Sequence, residues 1–388
     1  MKAPLLLSAA IWAASTLSAT AELALDMVYL RLEQDRPPVL SNLDPIPEDL
    51  GIKGATLAVS DSLTTGKFLG HSYELDVISV PVGGDILSAA KTAFDASKLV
   101  LLDMPGAQMQ QVADLPGAQD AILFNVTDPA SDLRDKGCRA NLLHTLPSQA
   151  MRADALMQFV TKKRWTKLAM IVGEHPSDVA FANALDRSAR KFGQKIKAQK
   201  TWAFDADMRR NAAQEVPLFT QDFGDYDLLL IADELNDFGR YIPFNTWRPR
   251  PVAGSVNLVP VAWDRVVEQW GAVQMQNRFR ELAGRDMRPV DYAAWAAVRS
   301  ISEAATRTKS DDAARLRAYI LSDDFQLAGF KGRPLSYRGW NGQLRQTIPL
   351  VSGGAMVAQA PLEGFLHQRT ELDTLGLDRP ESKCEAFE

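Results

Sequence analysis

The chain has 388 residues, 46% of them hydrophobic and 23% charged, with a formal net charge of −5 at pH 7. That length accommodates two lobes with a core each, and the composition excludes a disordered, collagenous or membrane-bundle chain. The acidic balance, with no basic run in the sequence, excludes nucleic acid as a partner.

The first segment reads as a leader: Lys2, the apolar run "PLLLSAAIWAA", then "SATA" before Glu22. The pattern predicts a signal peptide cleaved after Ala21, too short to span a membrane, so no stable membrane insertion is expected of the mature chain. Losing Lys2 takes the formal charge from −5 to −6. Export to an oxidising compartment bears on Cys138 and Cys384, which are the two cysteines. They form either one long-range disulfide that staples the C-terminal tail to the body or two unpaired thiols; sequence leaves both open.

The stretch "DLGIKGATLAVSDSLTTGKFLG" (49–70) raises the possibility of a phosphate loop, which would need Gly at 61 and a hydroxyl at 68; the chain has Asp61 and Phe68. Nor is it a dinucleotide fingerprint, because Ile52, Ala55 and Val59 keep helical spacing around Gly51 and Gly54. A helix from Glu48 to Leu63 is predicted, its glycines allowing close backbone packing, with Gly66 and Gly70 as turn punctuation.

Apolar runs at 26–32, 72–80, 98–104 and 121–126 have strand character, and Ile86, Leu87, Ala90, Ala93 and Phe94 share a helix face between them. The alternation resumes after "LLHTLPSQ" (142–149), with strands predicted at 167–173, 197–204 and 226–233 and a helix between Ser177 as N-cap and Gly193 as C′. Two successive sets predict an α/β fold with parallel-sheet lobes. Trp263 to Leu282 then reads as a long helix with Val266, Val267 and Trp270 inward, and "DYAAWAAVRSISEAATR" as another. "SYRGWNGQLRQTIPL" reads as a hairpin, Asn341-Gly342 suiting a type I′ turn.

"GIKGATLAVSDSLTTGKFLGHSYELDVISV" resembles the first helix, turn and second strand of type I periplasmic solute-binding proteins of the branched-chain amino-acid-binding class. "HTLPSQAMRADALMQFVTKKRWTKLAMIVGEHPSDVAFANALDRSARKFGQKI" is similar to their crossing into the second lobe, and the likeness of pattern runs over 25–350. More narrowly, "VYLRLEQDRPPVLSNLDPIPEDLGIKGA" resembles a subfamily of ABC-transporter binding proteins associated with pyrroloquinoline quinone (PQQ)-dependent alcohol dehydrogenase systems. The resemblance implies the type I periplasmic-binding-protein fold, two parallel-sheet lobes on a multi-strand hinge. Residues 22–147 plus 260–332 would form lobe one and 148–259 plus 333–352 lobe two, with 353–388 packing back on lobe one and hinges near 145–149, 254–260 and 330–336.

Ligands of open parallel sheets sit beyond the carboxyl ends of strands. Carried over, the ligand positions are Asp103, Gly106 and Gln108; Asn125, Thr127 and Asp128; His175 and Ser177; and Asp233 with Glu234. Here the chain departs from the amino-acid binders, which place small hydroxyls and free amides after the third strand to hold an α-carboxylate. It has "DMPGAQ", an acid and a proline without N–H. His175 could equally cap its helix. Trp202 could stack on a planar ligand such as a quinone or belong to the core. Trp247, beside Arg248 and Arg250, could face an anionic ligand or lie in an ordinary polar loop. Residues 211–239 hold seven acids and no Lys or Arg. This is either a solvated acidic face or a hard-cation site, for which Asp233, Glu234 and Asp237 are the candidate ligands. His71, His144 and His367 lack metal-ligand spacing.

No G-x-S-x-G, H-E-x-x-H or C-x-x-C motif is present, so no catalytic residue and no cofactor is expected. The resemblance implies a periplasmic receptor, not an enzyme, that captures a small molecule or metal complex and delivers it to an inner-membrane ABC permease. The alternative is a periplasmic accessory or assembly factor, or a ligand sensor, beside a quinoprotein dehydrogenase.

Overall fold

The computed structural model describes residues 23–35, 45–203 and 208–388, with only the backbone of 208–210. The leader with its cleavage after Ala21, residues 36–44 of the N-terminal stretch and the loop 204–207 lie outside the described residues.

The first sheet gathers β1 (Leu23–Leu32), β2 (His71–Val80), β3 (Leu99–Asp103), β4 (Ile122–Asn125) and β5 (Leu142–His144) in the order β2-β1-β3-β4-β5, all parallel. α1 (Ile52–Leu69), α2 (Ile86–Ala96) and α3 (Gly106–Ala113) connect its strands. Every residue of β3 and β4 is buried, as the continuous apolar runs require of a sheet covered on both faces. The second sheet, β7-β6-β8-β9, is built from β6 (Lys167–Val172), β7 (Lys195–Thr201), β8 (Leu228–Ala232) and β9 (Val252–Gly254), again parallel. α4 (Gln149–Lys162), α5 (Pro176–Lys191) and α6 (Met208–Gln221) belong to it.

The chain then leaves through β10 (Val259–Pro260) and returns to lobe one with α7 (Ala272–Ala283), α8 (Pro289–Thr308) and α9 (Ala313–Ile320). Trp263, Tyr292, Trp295 and Phe279 pack there with Tyr29, Leu101 and Phe124 of the first sheet, while α2 and α3 cover its other face through Phe94 and Met109. β11 (Ser336–Tyr337) and β12 (Leu344–Arg345) form a hairpin, and β13 (Ile348–Ser352) and β14 (Ala355–Ala360) join β10 in an antiparallel sheet against lobe two.

The glycines of α1 act as close contacts. A Cβ on Gly54 would lie 1.9 Å from the Asp291 carbonyl oxygen of α8. Gly66, expected in a turn, is inside the helix, where a Cβ would lie 2.8 Å from the Tyr73 ring; Gly70 ends the helix at φ 72°. The helix expected from Trp263 begins only at Ala272, because Trp270 and Gly271 both adopt left-handed backbone (φ 57° and 81°). Val267 is buried as expected, but Trp270 is 45% exposed. The 336–350 segment does turn back, but through a four-residue loop closed by Gly342 N–H to the Arg338 carbonyl (2.9 Å). Gly342 has φ 66° and Asn341 has no positive φ, so the turn is not type I′. Asn341 instead donates Nδ2–H to the Arg134 carbonyl.

Three chain crossings join the lobes: 145–148, the stretch from β9 through β10, and 345–348. They run side by side, Gln346 Nε2–H donating to the Thr145 carbonyl (2.7 Å) and Val261 N–H to the Pro349 carbonyl (3.0 Å). The third crossing lies later than 330–336, because Leu335, Tyr337 and Leu344 pack in the lobe-one core. Residues 333–345 therefore do not belong to lobe two.

The tail spans both lobes. Leu362 and Leu375 enter the lobe-two core, Asp373 is buried between Arg338 Nε (2.9 Å) and Arg345 Nε (2.8 Å), and Phe387 packs on lobe one. Cys384 is joined to Cys138 by a disulfide, with Cα atoms 5.7 Å apart across 246 residues of sequence.

Candidate functional site

The carboxyl ends of the two parallel sheets carry most of the residues singled out from sequence. In lobe one, Asp103 ends β3, buried, and its carboxylate is fully engaged: Tyr29 Oη–H donates to Oδ2 (2.9 Å), Thr127 Oγ1–H to Oδ1 (2.6 Å), and Arg31 Nε lies 3.5 Å away. Burial, reinforced by that carboxylate, holds the Tyr29 hydroxyl well above its ordinary range.

Asn125 is an internal turn-former rather than a ligand group. Its Oδ1 accepts the Thr127 and Asp128 N–H groups, and its Nδ2 donates to the Asp128 carbonyl and meets His144 Nδ1. Such a local closure is what Asn after a strand favours. Asp128 turns onto α3: Oδ2 accepts the Gly106 N–H at 2.6 Å and Oδ1 the Ala130 N–H at 2.7 Å. The amide that opens α3 is thus taken by the protein's own carboxylate.

In lobe two, α5 starts two residues earlier than expected from Ser177 as cap. His175 is the N-cap and Pro176 the first helical residue, where a missing N–H costs nothing. Gly193 follows the helix at φ 70°. Asp178, which the sequence did not single out, is the centre of this edge. Its Oδ1 accepts the Glu234 N–H (2.6 Å), its Oδ2 the His175 N–H (3.3 Å), and a Cβ on Gly173 would lie 2.2 Å from Oδ2. Burial pushes the Asp178 carboxyl up to about 6, with Asp233 adding to the effect.

The expected metal trio does not converge. Asp233 accepts three backbone N–H groups, from Asp237, Phe238 and Gly239 (2.9, 3.1 and 2.6 Å). Glu234 is clamped by Arg152 (2.5 and 3.1 Å) and by the Ser255 hydroxyl (2.9 Å), and Asp237 pairs with His175 Nε2 at 3.0 Å. Among the described residues no group of three His, Cys, Asp or Glu is placed to hold a metal ion.

Trp202 is corrected to a core residue. It is buried, with Phe238 stacked on it at 5.8 Å and Phe219 tilted against it at 4.5 Å. Trp247 is exposed, but Arg248 and Arg250 beside it are each 3.6 Å from Asp225 rather than free for an anion. Gln108 and Ser177 are half-buried. Gln108 borders a cavity of about 520 Å³ at the carboxyl ends of β1 and β2, lined also by Glu33, Asp35, Asp85 and Pro105. A larger cavity, about 920 Å³, lies at the opposite, amino end of the same sheet, between Asp26, Lys98 and Arg317, and shares none of these residues.

Sequence reasoning missed Tyr29, Arg31, Arg152, Asp178 and Ser255, whose partners are distant in the chain. The one available signal was an acid three residues after the α5 cap, the capping-box spacing.

No protein-family model matches the sequence, and no curated protein is similar to it. Solved structures do match over nearly the full length. A periplasmic binding protein from Burkholderia mallei superposes with a TM-score of 0.68 at 14% identity, over 95% of this chain and 99% of that one. A branched chain amino acid ABC transporter periplasmic ligand-binding protein from Burkholderia xenovorans gives 0.72 at 14% identity, over 94% and 100%. An ABC-transporter solute binding protein from R. palustris in complex with benzoate gives 0.61 at 10% identity, over 94% and 100%. With its two parallel-sheet lobes and three crossings, the chain has the type I periplasmic-binding-protein fold.

Proposed function

We propose that the chain is the solute receptor of an ABC transporter, working in the periplasm and handing a small molecule to an inner-membrane permease. The observation that supports this best is the pair of parallel sheets joined by three adjacent crossings, a fold shared with solved binding proteins of ABC transporters. A solute gripped by both lobes shifts the hinge toward the closed form by its differential affinity for that form, which is the signal a permease reads. Binding rather than catalysis is supported by the state of the cleft acids, each tied to backbone amides, an arginine or a histidine. We also place the protein beside PQQ-dependent alcohol oxidation, a reading supported by the resemblance of residues 28–55 alone.

A thermal melt of residues 22–388, alone and with PQQ, lanthanum, calcium, short alcohols, their acids and branched-chain amino acids, tests the reading. A ligand at about one hundred times its Kd adds roughly 2.7 kcal/mol and raises the midpoint by several degrees. Solution scattering should show the same compound closing the lobes. An unmoved midpoint across the panel, together with turnover of an alcohol, would replace the receptor with an enzyme.

A further inference from the structure

Besides the three crossings, the C-terminal tail connects the lobes. At one point it is held by lobe two. Leu375 lies in that core, and Gly376 is gripped from both sides, its N–H by Asp154 Oδ2 of α4 (2.8 Å) and its carbonyl by Lys191 Nζ of α5 (3.0 Å). Lys191 also pairs with the buried Asp154 (3.0 Å), so the two grips fix each other. Eight residues later the tail is held by lobe one. Lys383 N–H donates to Asp135 Oδ1 (2.5 Å), Cys384 is bonded to Cys138, and Phe387 packs against the lobe-one core. The link between the two anchors is folded back rather than drawn out, the Asp378 carbonyl accepting the Glu381 and Ser382 N–H groups (2.9 Å each). Arg338, buried in the lobe-one hairpin, seals the join: Nη2–H donates to the Leu375 carbonyl (2.6 Å) and Nη1–H to the Leu377 carbonyl (3.1 Å).

Turning one lobe against the other therefore works against the tail as well as the crossings. A small rotation draws Arg338 off carbonyls that are buried with it, and leaving such groups unpaired is unfavourable. A larger one must unwind the turn at 378–382. The limit is covalent: residues 377–384 reach at most about 28 Å fully extended, and the disulfide closes that link onto lobe one. We propose that the tail is a tether, closed by the Cys138–Cys384 bond, that restricts how far the two lobes rotate about their crossings. The proposal rests on the receptor reading above for the movement it restricts, and it is independent of which solute is captured. Without the bond, the last anchor depends on the Phe387 contact and a few hydrogen bonds, and the end of the tail can peel from lobe one.

Pulsed dipolar spectroscopy on the full mature chain tests it. Spin labels on unnatural amino acids at the exposed Lys91 of α2 and Gln214 of α6 read the distribution of interlobe distances and leave the cysteines untouched. The oxidised wild-type protein is expected to give the narrowest distribution. Cys138→Ser with Cys384→Ser should broaden it, and adding Phe387→Ala should broaden it further. Wild-type protein treated with a thiol reductant should match the double serine variant, and it serves in that variant's place if the variant fails to fold. The double variant itself should not respond to reductant, which separates the tether from any other effect of the thiol. Equal widths in the oxidised wild type and in the folded proteins lacking the bond overturn the proposal. Adding PQQ or branched-chain amino acids keeps the two readings apart. Equal widths with a mean distance that one of these compounds shifts would overturn the tether and leave the receptor intact, whereas a broadening on loss of the bond that none of them reverses supports the tether and counts against the receptor.

Discussion

Gly54 and Asp291 meet where α1 crosses α8, the glycine so near the aspartate's main-chain carbonyl that a Cβ would lie 1.9 Å from the oxygen. The Asp291 side chain ties the same junction, accepting the Gly51 N–H (2.8 Å) and two bonds from Arg285 (2.7 and 3.0 Å). Gly54→Ala is expected to force the helices apart and to lose about 3 kcal/mol, the upper end of overpacking costs. Urea unfolding measures it; wild-type stability in the variant would show that the two helices are not in backbone contact.

Asp178 makes stability depend on pH in a set direction. Its carboxyl titrates near 3.8 when unfolded and at about 6 in the fold, raised by burial first and by Asp233 second, against the Glu234 and His175 amides that lower it. The folded protein holds that proton more tightly, so this group's cost is absent below 3.8, grows as pH rises toward 6 and is complete above it. The difference corresponds to about 3 kcal/mol. Asp178→Asn is expected to flatten the stability profile between about pH 4 and pH 6, read as urea midpoints across that range. A profile as steep as that of the wild type would assign the slope to another group.

The disulfide between Cys138 and Cys384 closes a loop of 246 residues. Removing it with paired serine substitutions should cost about 2–5 kcal/mol. The wild-type melt should fall on adding a thiol reductant and the double variant should not respond; a wild-type melt indifferent to reductant would mean the bond contributes nothing.

Asp373 is buried between Arg338 and Arg345. Asp373→Asn leaves two buried guanidinium groups without their counter-charge and is expected to cost about 3–5 kcal/mol. Glu371, paired with Arg333 but largely exposed, gives the contrast: Glu371→Gln should change stability by less than about 1 kcal/mol. Equal effects in denaturant unfolding would show that burial does not distinguish the two pairs.

What was legible in the sequence was periodic. The apolar runs of β3, β4, β6 and β8 and the helical spacing of α2 announce themselves because burial on both faces or one stripe leaves a local pattern. The short β5, β9 and β10 leave none. Local backbone also decided where helices begin: the apolar positions from Trp263 fit a helix, but Trp270 and Gly271 adopt left-handed geometry just before α7. At the cleft, residue positions could be read but not their orientation. Asn125 and Asp233 lie at strand ends as expected, yet their oxygens serve their own loops. Trp202 falls at the end of a strand, and nothing local to it announces Phe219 and Phe238. Asp178 depends on an amide 56 residues away.

The way lobe one draws on separated parts of the chain sets an order of assembly. The lobe-two sheet is complete once residue 254 exists, whereas the first sheet, whose strands end at residue 144, waits for Trp263, Tyr292, Trp295 and Leu344 to cover one face. In a chain emerging from its N-terminal end, neither lobe closes its core early, because that of lobe two also waits for Ile348, Leu350, Leu362 and Leu375. Until α8 arrives, the apolar side chains of Tyr29, Leu101 and Phe124 stand uncovered, as an exposed surface for chaperones or for aggregation.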